Sequence, residues 1–97
     1  MNEPANLEKV TVEELKKFSS DVRDLRVTVG HDSTGDPAVY LTVILSDKVS
    51  DQAVLKGKFR DLEKWIRRTL WDEGGYQFRP YVTLRREQEE HKLAGAQ

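Results

Sequence analysis

The sequence predicts a two-layer α+β sandwich with the element order α-β-β-α-β and both helices on one face of a three-stranded mixed sheet. Two neighbouring segments alternate apolar and polar residues, which is typical of paired strands. A longer segment then repeats apolar residues at helical spacing, and a third alternating segment follows it. With 97 residues, the chain has room for a single core of modest size.

The first predicted element is a short helix that begins after Thr11. Thr11 and Glu14 have the capping-box spacing, in which each side chain binds the free backbone N–H of the other residue. Val12, Leu15 and Phe18 then fall on one face of the helix, which we expect to be buried. Polar turn formers follow and end the helix.

Two strands follow and are predicted to form an antiparallel hairpin. In the first, Leu25, Val27 and Val29 alternate with polar residues, so one face of the strand is expected to be buried. The turn formers of 30–37 predict an exposed loop between the strands. The inward set of the second strand consists of Val39, Leu41, Val43 and Leu45. Its opposite set is unusually apolar for a face in water and consists of Tyr40, Thr42 and Ile44.

The main helix is predicted to begin after Ser46 or Ser50, both favourable N-cap residues, and to run to about Asp72. The adjacent glycines Gly74 and Gly75 end it. Its apolar stripe recurs at steps of three and four residues through Leu55, Phe59, Leu62, Ile66 and Leu70. We expect this helix to supply most of the helical contribution to the core.

The third strand is predicted over 76–85. It should run parallel to the second strand, because the main helix serves as the crossover between them. Pro80 lacks an N–H group, which places this strand at an edge of the sheet. The folded domain is expected to span 10–86, between a flexible leader at 1–9 and a flexible charged tail at 87–97.

Composition excludes several classes of protein. Cysteine is absent, which removes disulfides, thiolate metal sites and thiol nucleophiles. The polar N-terminus lacks the features of a secretory signal, and the longest largely apolar stretch, 38–45, is too short to span a membrane. We therefore expect a cytoplasmic location and no membrane partner. His31 lies near Asp32 and Asp36 among turn formers, and a single histidine supplies no full ligand set, so neither metal nor cofactor is predicted.

Net charge is −1, but the basic residues are concentrated in one segment. Residues 56–86 hold nine basic against four acidic residues, whereas 1–55 hold six basic against ten acidic ones. The polar side of the main helix carries a possible nucleic-acid contact strip, which consists of Arg60, Lys64, Arg67 and Arg68. A solvated charged face is the more ordinary role of such residues, as the helical spacing of Glu63 and Arg67 indicates.

The element order resembles that of small αββαβ modules such as the cytoplasmic domain of cation-diffusion-facilitator transporters and minimal KH-like RNA-binding domains. The transporter domains bind metal through histidines and acids, whereas this chain has only His31 in the hairpin loop and His91 in the tail. KH modules carry a G-x-x-G loop between two helices, whereas Gly74 and Gly75 are adjacent and precede a strand. The resemblance is one of element order and implies no functional residue.

The main candidate site is the sheet face that points away from the helices. On this face the sequence places Arg26, Tyr40, Thr42, Ile44, Arg79, Tyr81 and Arg85. Tyrosine and arginine are enriched at protein interfaces, which favours a small interaction module that forms a homodimer or docks another protein through this face. The alternative is weak binding of RNA or single-stranded DNA, in which bases stack on the same rings. An ordinary solvated strand face is the third interpretation.

The sequence also lacks the arrangements on which most small catalytic sites depend. It contains no nucleophile elbow, no glycine-rich phosphate loop before a helix, and no obvious pair of carboxylates. The module is therefore predicted to be non-enzymatic.

Overall fold

A computed structural model describes residues 3–89 and contains a three-stranded mixed sheet. The strands are β1 (Val22–His31), β2 (Pro37–Leu45) and β3 (Arg79–Arg86), in the order β1-β2-β3. β1 pairs with β2 antiparallel and β3 pairs with β2 parallel. The predicted α+β class and the mixed sheet are confirmed, and β3, which carries Pro80, lies at an edge as predicted.

Two of the helices begin at capping residues that the sequence predicts. The helix α1 (Val12–Lys16) starts after Thr11, whose side chain accepts a hydrogen bond of 3.2 Å from the Glu14 N–H. The helix α2 (Asp51–Leu55) starts after Ser50, whose hydroxyl accepts a bond of 3.1 Å from the Ala53 N–H. A 3-10 turn (Leu7–Lys9) precedes α1, and α3 (Arg60–Arg67) continues into a π-helical turn (Arg68–Asp72).

The predicted main helix is wrong in one respect, because it is broken at Gly57 into α2 and α3. Gly57 has φ +85°, a left-handed conformation that glycine adopts without steric cost. Its N–H donates to the Val54 carbonyl at 3.0 Å, and the Lys58 N–H donates to the Ala53 carbonyl at 3.1 Å. These two bonds form a Schellman motif, which ends α2 and resets the helical phase. Leu55 consequently leaves the apolar stripe and is 82% exposed.

The core joins β2 to the helices. The inward side chains of β2 are all buried, as predicted, and belong to one cluster with residues of α1, α3 and the π-helical turn. The helical members of this cluster include Leu15, Leu62, Ile66 and Leu70, together with Phe59 at the start of α3. Since successive strand residues point to opposite faces, this clustering supports the prediction that the helices cover one face of the sheet.

The helices leave part of β1 uncovered. Val27 and Val29 point to the same face as the buried residues Leu41 and Val39 with which they pair, but they are 39% and 42% exposed. The expectation that their face of the strand is buried is therefore wrong for these two residues.

Phe18, expected on the buried face of the first helix, is also exposed. Its ring contacts that of Trp65, and the two ring centroids lie 5.7 Å apart.

The third strand begins later than predicted. Tyr76 lies in the turn before β3 with φ 61° and is exposed, whereas Phe78 is buried immediately before the strand. The Tyr76 N–H donates to the Trp71 carbonyl at 2.9 Å, which keeps this residue in the turn. The pairing with β2 accordingly starts at Arg79.

Residues before α1 also pack on the domain. Pro4 is buried, and the side-chain amide of Asn6 donates to the Thr69 carbonyl at 3.1 Å. We therefore place the beginning of the packed region at Pro4, within the segment expected to be a flexible leader. Of the predicted tail, residues 87–89 are helical, and the remainder, including His91, lies outside the described residues.

Candidate functional site

The face of the sheet opposite the core, called the open face below, consists of four cross-strand rows. From the hairpin loop to the other end of the sheet, these rows are formed by Gly30, Ala38 and Arg79, then by Thr28, Tyr40 and Tyr81, then by Arg26, Thr42 and Thr83, and finally by Asp24, Ile44 and Arg85. The strand register therefore brings the predicted site residues of all three strands onto one surface.

Tyr40 and Tyr81 form a stacked pair on this face. Their ring centroids lie 5.3 Å apart with an angle of 18° between the ring planes, and each side chain is 38% exposed. The Tyr40 hydroxyl donates to the His31 carbonyl at 3.0 Å, and the Tyr81 hydroxyl donates to Oδ2 of Asp32 at 3.0 Å. Because one hydroxyl is bonded to the last residue of β1 and the other to the hairpin loop, the two rings are oriented before any partner binds.

The hairpin loop is itself ordered around the Asp32 carboxylate. Oδ1 of Asp32 accepts bonds from the Thr34 hydroxyl at 2.6 Å and from the Thr34 and Asp36 N–H groups, each at 3.0 Å. This is the Asx-type use of aspartate in a turn. The Thr34 hydroxyl bond, followed by the backbone N–H bonds and the bond from Tyr81, lowers the pKa of Asp32 from 3.8 to about 2 despite the opposing effect of desolvation.

Acid is expected to release this loop from the sheet. The pKa of Asp32 is lower in the folded than in the unfolded state, so the ionised carboxylate stabilises the folded state above its ordinary pKa of 3.8. That contribution is lost as the pH falls from 3.8 through about 2. NMR signals of the loop amides should therefore shift over this range. Unchanged signals would contradict the role of the Asp32 carboxylate in ordering the loop.

The Asp32 carboxylate also affects Tyr81, whose pKa is raised above 10.0 by desolvation and by its bond to Asp32. We expect Asp32→Asn to lower the Tyr81 pKa part of the way towards 10.0, because the neutral amide no longer opposes the phenolate. An NMR titration of the tyrosine rings measures the change. Asp36→Asn is the matched control, since Asp36 contacts the Thr34 hydroxyl at 3.2 Å but is not bonded to Tyr81 in the described structure.

A groove of about 440 Å³ lies along the free edge of β3, beside the tyrosine pair. This β3 groove is lined by Arg67, Trp71, Arg79, Pro80, Tyr81, Val82 and Thr83. The Arg79 guanidinium lies 4.8 Å from the Trp71 ring centroid, and Tyr76 meets the same ring edge-on at 5.3 Å. Within residues 3–89, no hydrogen bond or ion pair engages the guanidinium N–H groups of Arg79, so they remain available to an acceptor.

The opposite end of the open face offers less surface. Ile44 is only 4% exposed, so its side chain is already buried and we leave it out of the candidate contact surface. Thr42 and Arg85 are half-buried, whereas Arg26 is exposed. The accessible aromatic and cationic groups are therefore concentrated near the hairpin loop and the β3 groove.

The basic strip of the main helix is divided by the fold. Arg60, Lys64, Arg67 and Arg68 are all exposed, but only Arg67 lines the β3 groove. Nη2 of Arg67 lies 3.4 Å from Oε2 of Glu63, the pairing that the sequence spacing indicated. The fold thus joins one member of the strip to Arg79 and Tyr81.

Neither a metal centre nor a membrane span is formed within the described residues. No group of three or more metal-ligating side chains occurs there, and no helix is both long and apolar enough to cross a bilayer. The predicted site residues did not include Asp32, which is bonded to Tyr81, or Trp71, which contacts Arg79. The Asp-Ser-Thr-Gly-Asp run signalled the turn, but nothing local in the sequence indicated that its first aspartate reaches Tyr81, 49 residues away.

Comparisons with protein-family models, curated proteins and solved structures found no match to this chain, so its function has to be inferred from its own residues.

Proposed function

We propose that the chain is a non-enzymatic interaction module that binds an acidic segment of a partner protein. The contact surface comprises the Tyr40–Tyr81 pair and the adjoining β3 groove with Arg67 and Arg79. The observation that carries this proposal is the oriented tyrosine pair beside Arg79, whose guanidinium N–H groups have no protein acceptor in the described residues.

The geometry suits a protein partner because little has to be ordered on binding. Immobilising a flexible side chain at an interface costs about 0.5–1.5 kcal/mol of free energy. The hydroxyl bonds of Tyr40 and Tyr81 already restrict both side chains in the free chain, so less of this free energy is lost on binding. The Arg79 guanidinium is oriented by its contact with Trp71, while the edge of its planar group can still bind a carboxylate through two N–H donors. Rigid tyrosine and oriented arginine are the residues that most often dominate binding energy.

The same geometry makes base stacking less favourable. A platform for single-stranded nucleic acid needs ring faces on which bases can lie. Tyr40 and Tyr81 instead turn one face each towards the other, and Arg79 occupies a face of Trp71. The overall charge of −1 also lacks the basic excess of a dedicated nucleic-acid binder.

Charge favours an acidic partner over a second copy at this face. In its cross-strand rows the open face carries Arg26, Arg79 and Arg85 against Asp24, and Asp32 adds a second carboxylate beside Tyr81, so the balance is positive. Two such faces brought together would place arginines near arginines, and like charges at an interface disfavour association. We therefore assign the open face to a partner of opposite charge rather than to a face-to-face homodimer.

The test is binding of a fluorescent peptide of alternating glutamate and leucine residues. Arg79→Glu should weaken binding by about tenfold or more, since a hydrogen bond to a charged group contributes about 1.5–3 kcal/mol. Lys48→Glu is the matched control, because it makes the same charge change on an exposed lysine beyond the far end of β2. A peptide of alternating lysine and leucine controls for binding driven by the apolar residues alone.

Three results would overturn the proposal. These are equal weakening by Arg79→Glu and Lys48→Glu, equal binding of the acidic and basic peptides, or no saturable binding of the acidic peptide. Tighter binding of a single-stranded oligothymidylate, with a steep loss of affinity as salt is raised, would instead identify the nucleic-acid alternative. Circular dichroism of each variant excludes unfolding as the cause of a loss.

A further inference from the structure

We propose that two copies of the chain associate through the free edges of their β1 strands, in antiparallel register about a two-fold axis, to form a six-stranded sheet. This second interaction surface lies apart from the β3 groove, and the proposal does not depend on the proposed function. It rests on the unpaired edge of β1, the exposed valines beside it and the charge pattern along the strand.

β1 is the sheet edge that remains open to pairing. It is ten residues long and pairs only with β2 within the described part of the chain, so its other side presents backbone donors and acceptors without a strand partner. β3, the opposite edge, contains Pro80, which removes one backbone donor. β1 has no proline, and its only register irregularity lies at its beginning, between Val22 and Asp24.

The exposed apolar residues of the sheet lie next to this open edge. Val27 and Val29 are 39% and 42% exposed on the core side, and Leu25 in the same row is half-buried. A strand added to β1 would bring its own side chains beside this row, because residues directly opposite each other in neighbouring strands lie about 4.5–5.5 Å apart. Pairing would therefore complete a core that the helices leave uncovered at this edge.

Charge and the length of pairing together select one register for a second copy, because axes at residues 25 and 29 avoid like charges but pair only seven and five residues of β1. With the axis at Val27, Val27 faces its own equivalent and Leu25 faces Val29 of the second copy. Arg26 then faces Thr28, so no two like charges of the open face are directly opposite. Moving the axis to residue 26 would place Arg26 against itself, and moving it to residue 28 would place Asp24 against Asp32. The register centred on Val27 also pairs nine of the ten residues of β1.

A second copy fits this edge because an antiparallel edge is complementary to itself. A two-fold axis perpendicular to the sheet presents the same donors, acceptors and apolar row from both sides. It also keeps the two open faces on the same side of the enlarged sheet. The dimer would thus display two tyrosine pairs and two β3 grooves in one direction, at opposite ends of the six-stranded sheet.

The absence of cysteine allows a direct test by single-cysteine crosslinking. Val27→Cys should form a disulfide-linked dimer on mild oxidation, because opposite Cα atoms at about 4.5–5.5 Å lie within the range that a disulfide spans. Val29→Cys is the matched control, since it has similar exposure on the same face of the same strand. In the proposed register its two copies lie about 13 Å or more apart, which is beyond disulfide reach.

We expect the crosslinked fraction of Val27→Cys to exceed that of Val29→Cys several-fold at equal concentration. Light scattering of the unmodified chain should give the mass of a dimer at high concentration, and Val27→Lys should give a monomer. Equal crosslinking of the two cysteine variants, or a monomeric mass at every concentration, would overturn the proposal. A dimer that survives Val27→Lys but is lost in Tyr81→Ala would also overturn it and would identify the open face as the dimer interface.

Discussion

Leu62→Ala is expected to lower the free energy of unfolding by about 3–5 kcal/mol, whereas Leu55→Ala should change it by less than about 0.5 kcal/mol. Both leucines belong to the same helical stripe in the sequence, so sequence periodicity alone predicts similar losses. The structure separates them, because Leu62 is 1% exposed and Leu55 is 82% exposed. The difference arises from the break at Gly57, which removes Leu55 from the buried face.

Urea denaturation of the two variants measures this contrast. Removing the Leu62 side chain takes away its transfer free energy and leaves a cavity among tightly packed neighbours, whereas the Leu55 side chain already contacts mostly water. Folded domains have total stabilities of about 5–15 kcal/mol, so Leu62→Ala should remove a large share of the total. Equal denaturation midpoints for the two variants would contradict the difference in burial between Leu62 and Leu55.

Gly74→Ala is expected to destabilise the chain by about 1–3 kcal/mol, the usual cost of forcing extra atoms into a packed site. Gly74 is buried after the π-helical turn, and a Cβ atom placed there would collide with the Leu70 carbonyl oxygen and press on that of Ala5. Both obstacles are backbone atoms, so no side-chain rotation relieves the clash. The turn that leads into β3 would have to move.

Gly30→Ala provides the control for this prediction. Gly30 lies in β1 and has no positive φ, and the position that a Cβ atom would take has no heavy atom within 4 Å outside the immediate neighbours, so alanine fits there. Its unfolding free energy should be unchanged or slightly higher, because alanine restricts the unfolded chain more than glycine does. Thermal or urea unfolding of both variants tests the contrast, and equal stability of Gly74→Ala and Gly30→Ala would contradict the geometry at Gly74.

Features that depend on neighbouring residues could be predicted from the sequence alone. Thr11 was the predicted cap of α1, and Ser50, one of the two predicted caps of the main helix, caps α2. Alternation predicted which side chains of β2 face the core. Alternation also predicted that Tyr40, Thr42 and Ile44 share the other face, because successive strand residues point to opposite sides. Pro80 indicated an edge strand through its missing N–H group.

The helix break depends on both local sequence and long-range packing. Gly57 was visible in the sequence, but an isolated glycine is tolerated inside a helix at a cost of about 1 kcal/mol. Its left-handed conformation and the two Schellman bonds end the helix there. The apolar stripe by itself favoured continuity and therefore assigned Leu55 to the core.

Which candidate residues form a site depends on contacts between distant segments. The contact of Asp32 with Tyr81 joins residues 49 positions apart, and the contact of Arg79 with Trp71 depends on how the π-helical turn meets β3. Exposure of Val27 and Val29 depends on how much of the sheet the helices cover, which periodicity does not specify. Local patterns determine the direction in which a side chain points, whereas its neighbours are determined by the packing of distant segments.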